Sequence, residues 1–211
     1  MEIIRSSKEK FIPLDMFQSS DKVLQPCICY HCYEELSDKE ISTKIISAKG
    51  NCFRNEIVNE LNNFRKSEFE MREIVIFGDS HEVSNLRKNL MSDVWNLFCK
   101  LGLNGLVQTA NDPFFYYEDF KKETYQLMSE AKYELIYTPK ETDSKGVAIA
   151  SFNYIGEYLC RKYNIKKGNK IANSACIAFG IDRWSEAIIN RYGNTKNNWP
   201  QLLKNEWSYN E

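Results

Sequence analysis

Five prolines in 211 residues, none gathered with glycine into a linker, leave this chain without an obvious internal boundary. No repeat or low-complexity segment divides it either. One continuous domain over residues 1–211 is therefore the expectation, and that length suffices for a substantial core. An excess of either charge is also missing, since 28 Lys and Arg stand against 29 Asp and Glu for a net charge of −1. A broad grip on a phosphate backbone needs clustered cations that release counterions, so no tRNA is expected as a partner. No apolar run reaches the length of a membrane span, and Met1–Lys10 carries no apolar signal core. No membrane association and a cytoplasmic location are the expectations that follow.

Cysteine, by contrast, is plentiful. Seven are present, and without a secretion signal they read as thiols or metal ligands rather than disulfides. Cys27, Cys29 and Cys32 gather around His31, whereas Cys52, Cys99, Cys160 and Cys176 stand singly. The cluster could supply most of a local zinc site, but structural sites usually pair two separated knuckles, and no second CxxC exists here. In an extended segment Cys27, Cys29 and His31 face one side and Cys32 the other. One of them is then expected to be a ligand whose partners lie far away in sequence. Buried thiols are the plain alternative for Cys27, Cys32, Cys52, Cys99 and Cys160.

Hydrophobic patterning predicts strands at Lys44–Ala48 and Asn51–Glu56 around Lys49-Gly50, a polar loop over Asn59–Glu68, and a strand at Phe69–Phe77. Asp79 with Glu82 forms a capping box for a helix that carries Val83, Leu86, Leu90, Val94, Leu97 and Leu101 as its core stripe until Gly102. Further strands are expected at Leu106–Thr109, Tyr133–Tyr137 and Val147–Phe152, with an amphipathic helix over Tyr154–Tyr163. A last helix, Ile181–Tyr192, should stop at Gly193. Adjacent strands are joined by segments too short for βαβ units, so the fold class is α+β, a mainly antiparallel sheet flanked by helices.

The strand Phe69–Phe77 holds one residue that does not fit. Period-2 alternation puts Phe69, Met71, Glu73, Val75 and Phe77 on one face. A carboxylate among apolar neighbours needs a cation, a metal or several donors to offset its desolvation; an arginine partner is the simplest choice. Upstream, Arg54 and Glu56 fall on one side of their strand, a pattern that suits a nucleotide: arginine for phosphate, acid for an exocyclic amine, and an aromatic such as Phe69 for the base. Near the C-terminus Arg183 occupies the first turn of a helix, where a cation opposes the helix dipole unless an anion binds there.

In order, Phe53-Arg54-Asn55-Glu56, Phe69-Glu70-Met71-Arg72-Glu73 and Ala175–Trp184 resemble motifs 2 and 3 of class II aminoacyl-tRNA synthetases of the seryl-like branch. Together with Cys29-Tyr30-His31-Cys32-Tyr33, Ala110–Phe115 and Ala150–Tyr154, they look like the amino acid:carrier-protein ligases, atypical seryl-tRNA synthetase homologues. The resemblance runs from about Val23 to Gly193. It implies a catalytic zinc on Cys29, Glu73 and Cys176, whose open fourth position takes the substrate's α-amino group. It further implies that Arg54 contacts the α-phosphate of ATP, Glu56 the adenine amine and Arg183 the γ-phosphate, that Phe69 stacks on the adenine, and that Asn153 joins Glu73 in binding the amino acid. The implied reaction is activation of a small amino acid, glycine or alanine, by ATP with magnesium, then transfer to the phosphopantetheine thiol of a carrier protein.

Three departures accompany the match. Only 28 residues precede Cys29, so the motif 1 region that builds the family's dimer interface is missing from its expected place and dimerisation is left open. Asp182 stands where glutamate is usual, and Ile155 where histidine is expected. They keep two alternatives in play: a non-catalytic zinc- or nucleotide-binding paralogue acting in regulation or complex assembly, and adenylation with transfer to another acceptor.

Overall fold

The computed structural model describes residues 24–56, 58–110, 131–140 and 146–207. The Ala110–Phe115 motif lies, from Asn111 onward, outside the described residues. The elements, in chain order, are α1 (Cys29–Glu35), β1 (Lys44–Phe53), β2 (Glu68–Gly78), α2 (Ser80–Lys100), β3 (Gly105–Thr109) and β4 (Lys132–Tyr137). They continue with β5 (Val147–Gly156), α3 (Tyr158–Lys162), β6 (Lys166–Lys167), β7 (Lys170–Ile171), β8 (Asn173–Gly180), α4 (Ile181–Tyr192) and α5 (Gln201–Trp207).

Six strands form one sheet in the order β1-β2-β8-β5-β4-β3, and every pairing within it is antiparallel. Ile76, Leu135, Phe152 and Ile177 line one face and pack on α2 and α4 through Val83, Val94, Phe98, Ala187 and Ile188. Val75, Phe77 and Cys176 on the opposite face meet Cys29, Cys32 and Tyr33 of α1, with Cys160 and Ile165 completing that second cluster. Among the described residues no helix is long and apolar enough to cross a membrane.

The Asp79 capping box forms in full: the Glu82 N–H donates to the Asp79 carboxylate at 2.9 Å, and the Asp79 N–H to Glu82 at 3.0 Å. α4 ends at Gly193, whose φ of +78° lies in the region glycine tolerates. Other expectations need correction. The two strands around Lys49-Gly50 are one, because β2 pairs continuously from Lys44↔Phe77 to Phe53↔Glu68. Gly50 serves close approach rather than a turn, since a Cβ there would stand 3.0 Å from Ile28 Cδ1. β5 runs on to Gly156 through a bulge at Tyr154/Gly156, so the helix expected over Tyr154–Tyr163 shrinks to Tyr158–Lys162. Leu97 and Cys99 are exposed on the outer side of α2, while Arg87 and Phe98 take buried positions on it. The cysteine-rich segment is helical, not extended, and a helix after Gly193, α5, went unforeseen.

Candidate metal and nucleotide site

Glu73 is 2% exposed at the centre of β2. Its neighbours across the ladder are Ala48 on β1 and Ala178 on β8. Cys176 pairs with Val75, one step along on the same face, so it lies diagonal to Glu73. α1 covers this face with its first turn pointing down. The Cys29 N–H donates to one Glu73 carboxylate oxygen at 2.8 Å and the Ile28 N–H approaches the other at 3.3 Å. The Cys176 thiol adds a third contact at 3.4 Å. The cost of the buried carboxylate is thus met by backbone donors and a thiol; the arginine partner that charge pairing suggested is not what the fold supplies.

The Cys29 and Cys176 sulfurs and a Glu73 oxygen all lie within 4.8 Å of one another, a group that could hold a metal ion. This trio is the one the resemblance implied. Cys32 is buried one turn further along α1, and the exposed His31 pairs with Gln25. Without a metal the thiols crowd one another. The Cys29 thiol is driven upward by its hydrogen bond with Cys176, burial and the Glu73 charge. At Cys176 the Cys29 contact lowers the value, but burial and Glu73 more than offset it. A divalent cation at the centre would favour the thiolate at both sulfurs and offset the rises that burial and Glu73 cause.

Two residues further along the same face, at Met71 and Ala178, a cleft of about 230 Å³ begins. Arg54, Phe69 and Arg183 line it; Glu56, Asn153 and the metal trio do not. β1 ends at Phe53, so Arg54 and Glu56 lie beyond the ladder rather than on a strand face. The Arg54 guanidinium rests 5.1 Å over the Phe69 ring, and Glu56 is held by Arg65 at 2.6 Å. Arg183 donates to the carbonyls of Phe64 at 2.8 Å and Ala148 at 2.7 Å. Burial, then the positive charge of Arg54, lowers its pKa. Asp182 accepts from Lys66 and from the Glu70 N–H, both at 2.6 Å. Burial pushes its carboxyl up, but these donors hold it below the ordinary value. Asn153 pairs with Cys176 across the ladder and donates to Ser151 at 3.1 Å, which puts it between cleft and trio.

Sequence reasoning missed three charged residues of the cleft wall: Lys66, the partner of Asp182, and Lys132 with Glu134, which form an ion pair at 3.2 Å. The signal was faint. Lys132 and Glu134 alternate with Tyr133 and Leu135 along β4, and pairing with Asn153 and Ser151 sets them on the cleft face.

No family model matches the chain. It is 31% identical over 189 residues to the amino acid:acyl-carrier-protein ligase 1 of Bradyrhizobium diazoefficiens, an alignment covering 88% of this chain and 57% of that protein. It is 29% identical over 201 residues to a type-2 serine:tRNA ligase of Methanococcus aeolicus, covering 91% and 38% respectively. The M. kandleri SerRS, solved with A. aeolicus tRNASec, superposes with a TM-score of 0.69 at 21% identity, over 94% of this chain and 42% of that one. The chain therefore spans about half the length of the curated relatives it matches. The fold is that of a seryl-tRNA synthetase-like class II catalytic core. Within that class the chain is a homologue of the amino acid:carrier-protein ligases and the type-2 seryl-tRNA ligases.

Proposed function

We propose that this chain activates a small amino acid, glycine or alanine, with ATP, and passes it as an aminoacyl group to the phosphopantetheine thiol of a carrier protein. The observation that carries this reading is the convergence of Cys29, Glu73 and Cys176 within 4.8 Å, on the sheet face that leads into the cleft of Arg54 and Arg183. Two thiolates and a carboxylate suit zinc, and three protein ligands leave a fourth position, the pattern of a catalytic rather than a structural site. When bound, the zinc would supply a Lewis acid that accepts the substrate's neutral α-amino group, selecting amino acids over plain carboxylic acids.

The chain's own residues do the rest by positioning and electrostatics. Phe69 offers its ring to the adenine and Glu56 an acceptor to the adenine amine. Arg54 takes the α-phosphate. Arg183, parked on two carbonyls, takes the γ-phosphate of the magnesium-bound nucleotide. The charge of Arg54 adds to the electrostatic cost of the buried Arg183, and a polyanion between them relieves it. Asn153 sits beside Cys176 to meet the amino acid. The substrate carboxylate attacks the α-phosphorus in line, the bond to pyrophosphate breaks, and the arginines absorb the charge. The carrier thiol then attacks the acyl carbon, AMP leaves, and an aminoacyl thioester forms. No side-chain nucleophile is needed.

ATP–pyrophosphate exchange with an amino-acid panel, together with metal analysis of the same sample, tests this. Exchange with glycine or alanine in zinc-loaded protein is expected. Its absence from folded, metal-loaded protein sinks the enzyme reading and leaves the non-catalytic binding paralogue. A second acceptor is favoured by one observation: tRNA ligases are among the relatives at 29% identity. Intact-mass detection of a loaded carrier protein, against acid-gel detection of charged tRNA, separates the two acceptors.

A further inference from the structure

Cys27 is the one cysteine of the cluster that the proposed zinc set leaves over at the site itself. Its thiol lies 3.7 Å from the Cys29 sulfur. Two sulfurs bound to one tetrahedral zinc, each at about 2.3 Å, stand roughly 3.8 Å apart. Cys27 is therefore already spaced from Cys29 as a co-ligand would be. It stands outside the tight group formed by Cys29, Glu73 and Cys176, and unlike those three it is only partly buried. It thus flanks the trio on the side open to solvent. Its backbone is tethered as well, because the next two N–H groups, of Ile28 and Cys29, both reach the Glu73 carboxylate.

We propose that Cys27 is a displaceable fourth ligand of the metal held by Cys29, Glu73 and Cys176. This rests on the zinc reading above. Without an amino acid, a rotamer change aims the Cys27 sulfur at the fourth position and closes the tetrahedron. The substrate then binds by exchange. Its ammonium gives up a proton to coordinate as a neutral amine, the Cys27 thiolate leaves the metal, and the thiolate takes up a proton. One coordinate bond breaks, one forms, and no net proton is released. The chain thereby carries its own competitor for the substrate's seat. The closed form keeps water and stray amines off the metal while the site is empty of substrate.

Cobalt(II) reconstitution of the full chain reads the thiolate count directly, because sulfur-to-cobalt charge transfer grows with each thiolate bound. In the absence of amino acid, Cys27→Ser is expected to lose about one third of the charge-transfer intensity per cobalt, as three thiolates become two. Cys32→Ser, the same change one turn away, should match the unmodified chain. Saturating glycine or alanine should bring the unmodified chain down to the Cys27→Ser spectrum. Identical spectra for the unmodified chain and Cys27→Ser at equal cobalt content, both without amino acid, would overturn the proposal and leave the zinc reading standing. Failure of the unmodified, folded chain to take up cobalt or zinc overturns both. Circular dichroism of each variant shows that the comparison is made on folded protein.

Discussion

The Cys29–Glu73–Cys176 trio and the cleft proposed for the nucleotide lie on one sheet face, yet they are built in opposite ways. The trio is dry and preformed. Two of its ligands sit mid-strand in a continuous ladder, the third opens a helix, and all three are buried. Its carboxylate is fixed by backbone donors that no side-chain motion can remove. The cleft is an open cavity whose cations are engaged elsewhere, Arg183 on two carbonyls and Arg54 on an aromatic ring, while Glu56 just outside it is held by Arg65. One half is held in geometry before any ligand arrives, whereas the other, on the proposed reading, would exchange existing partners for a ligand's phosphates. A metal ion needs near-fixed ligand positions and can drive folding itself; a flexible polyanion can recruit loosely held arginines.

If that contrast is sound, breaking the preformed half should be close to absolute. Cys29→Ser and Cys176→Ser are each expected to abolish zinc content and pyrophosphate exchange together, while Cys32→Ser spares both. Metal analysis of purified, folded variants checks this. Equal zinc loss in Cys32→Ser would move the site to the local cysteine cluster and dissolve the contrast.

Breaking the adaptable half should be severe but graded. Arg183→Ala is expected to lower exchange by about 10²–10³-fold, the typical cost of one charge-stabilising donor, with zinc content unchanged. Arg183→Lys should recover part of that loss, because a point cation replaces a fork. Concurrent loss of zinc in Arg183→Ala would mean that the two halves are one cooperative unit.

The same division governs what the residues revealed before the fold was known. Glu73 was legible because a carboxylate in an apolar alternation is costly wherever the strand goes, and the α2 capping box because its two partners are three residues apart. The geometry around Glu73 was not legible: its donors come from α1, a helix of seven residues whose packing on β2 no local pattern announces. Pairing overrode local signals twice, in β1 running through Lys49-Gly50 and in β5 running on to Gly156. Lys132 and Glu134 escaped because charged residues on a half-exposed strand ordinarily face solvent; only the register with Asn153 and Ser151 turns them into the cleft.

A smaller perturbation asks how firmly α1 is seated over the trio. Tyr33 is fully buried, and its hydroxyl donates to Ser174 at 2.8 Å, which in turn donates to the Gly156 carbonyl at 3.2 Å. Tyr33→Phe keeps the ring and deletes the first of these bonds, at a cost of about 1 kcal/mol in urea unfolding. Zinc content should stay at the level of the unmodified chain if the Glu73 anchors alone seat the helix. A drop in zinc affinity at unchanged fold would assign part of the preorganisation to this hydroxyl chain.

The smallest effect expected lies outside both halves and serves as their common control. Lys167, followed by the Asp79 N–H and Thr43, holds the Glu82 carboxyl down to about 2. A carboxylate whose folded pKa is depressed contributes stability above its unfolded value, near 4.5, and loses it as pH falls toward 2. The unmodified chain should therefore lose stability relative to Glu82→Gln as pH falls from about 4.5 to 2, and keep a constant margin above that window. Urea midpoints across that range measure it, and added salt should shrink the difference, because the group is exposed to solvent. Zinc content and exchange at neutral pH should not respond to Glu82→Gln at all. If they do, the α2 cap communicates with the trio through β2, and the preformed half extends further than its three ligands and their backbone donors.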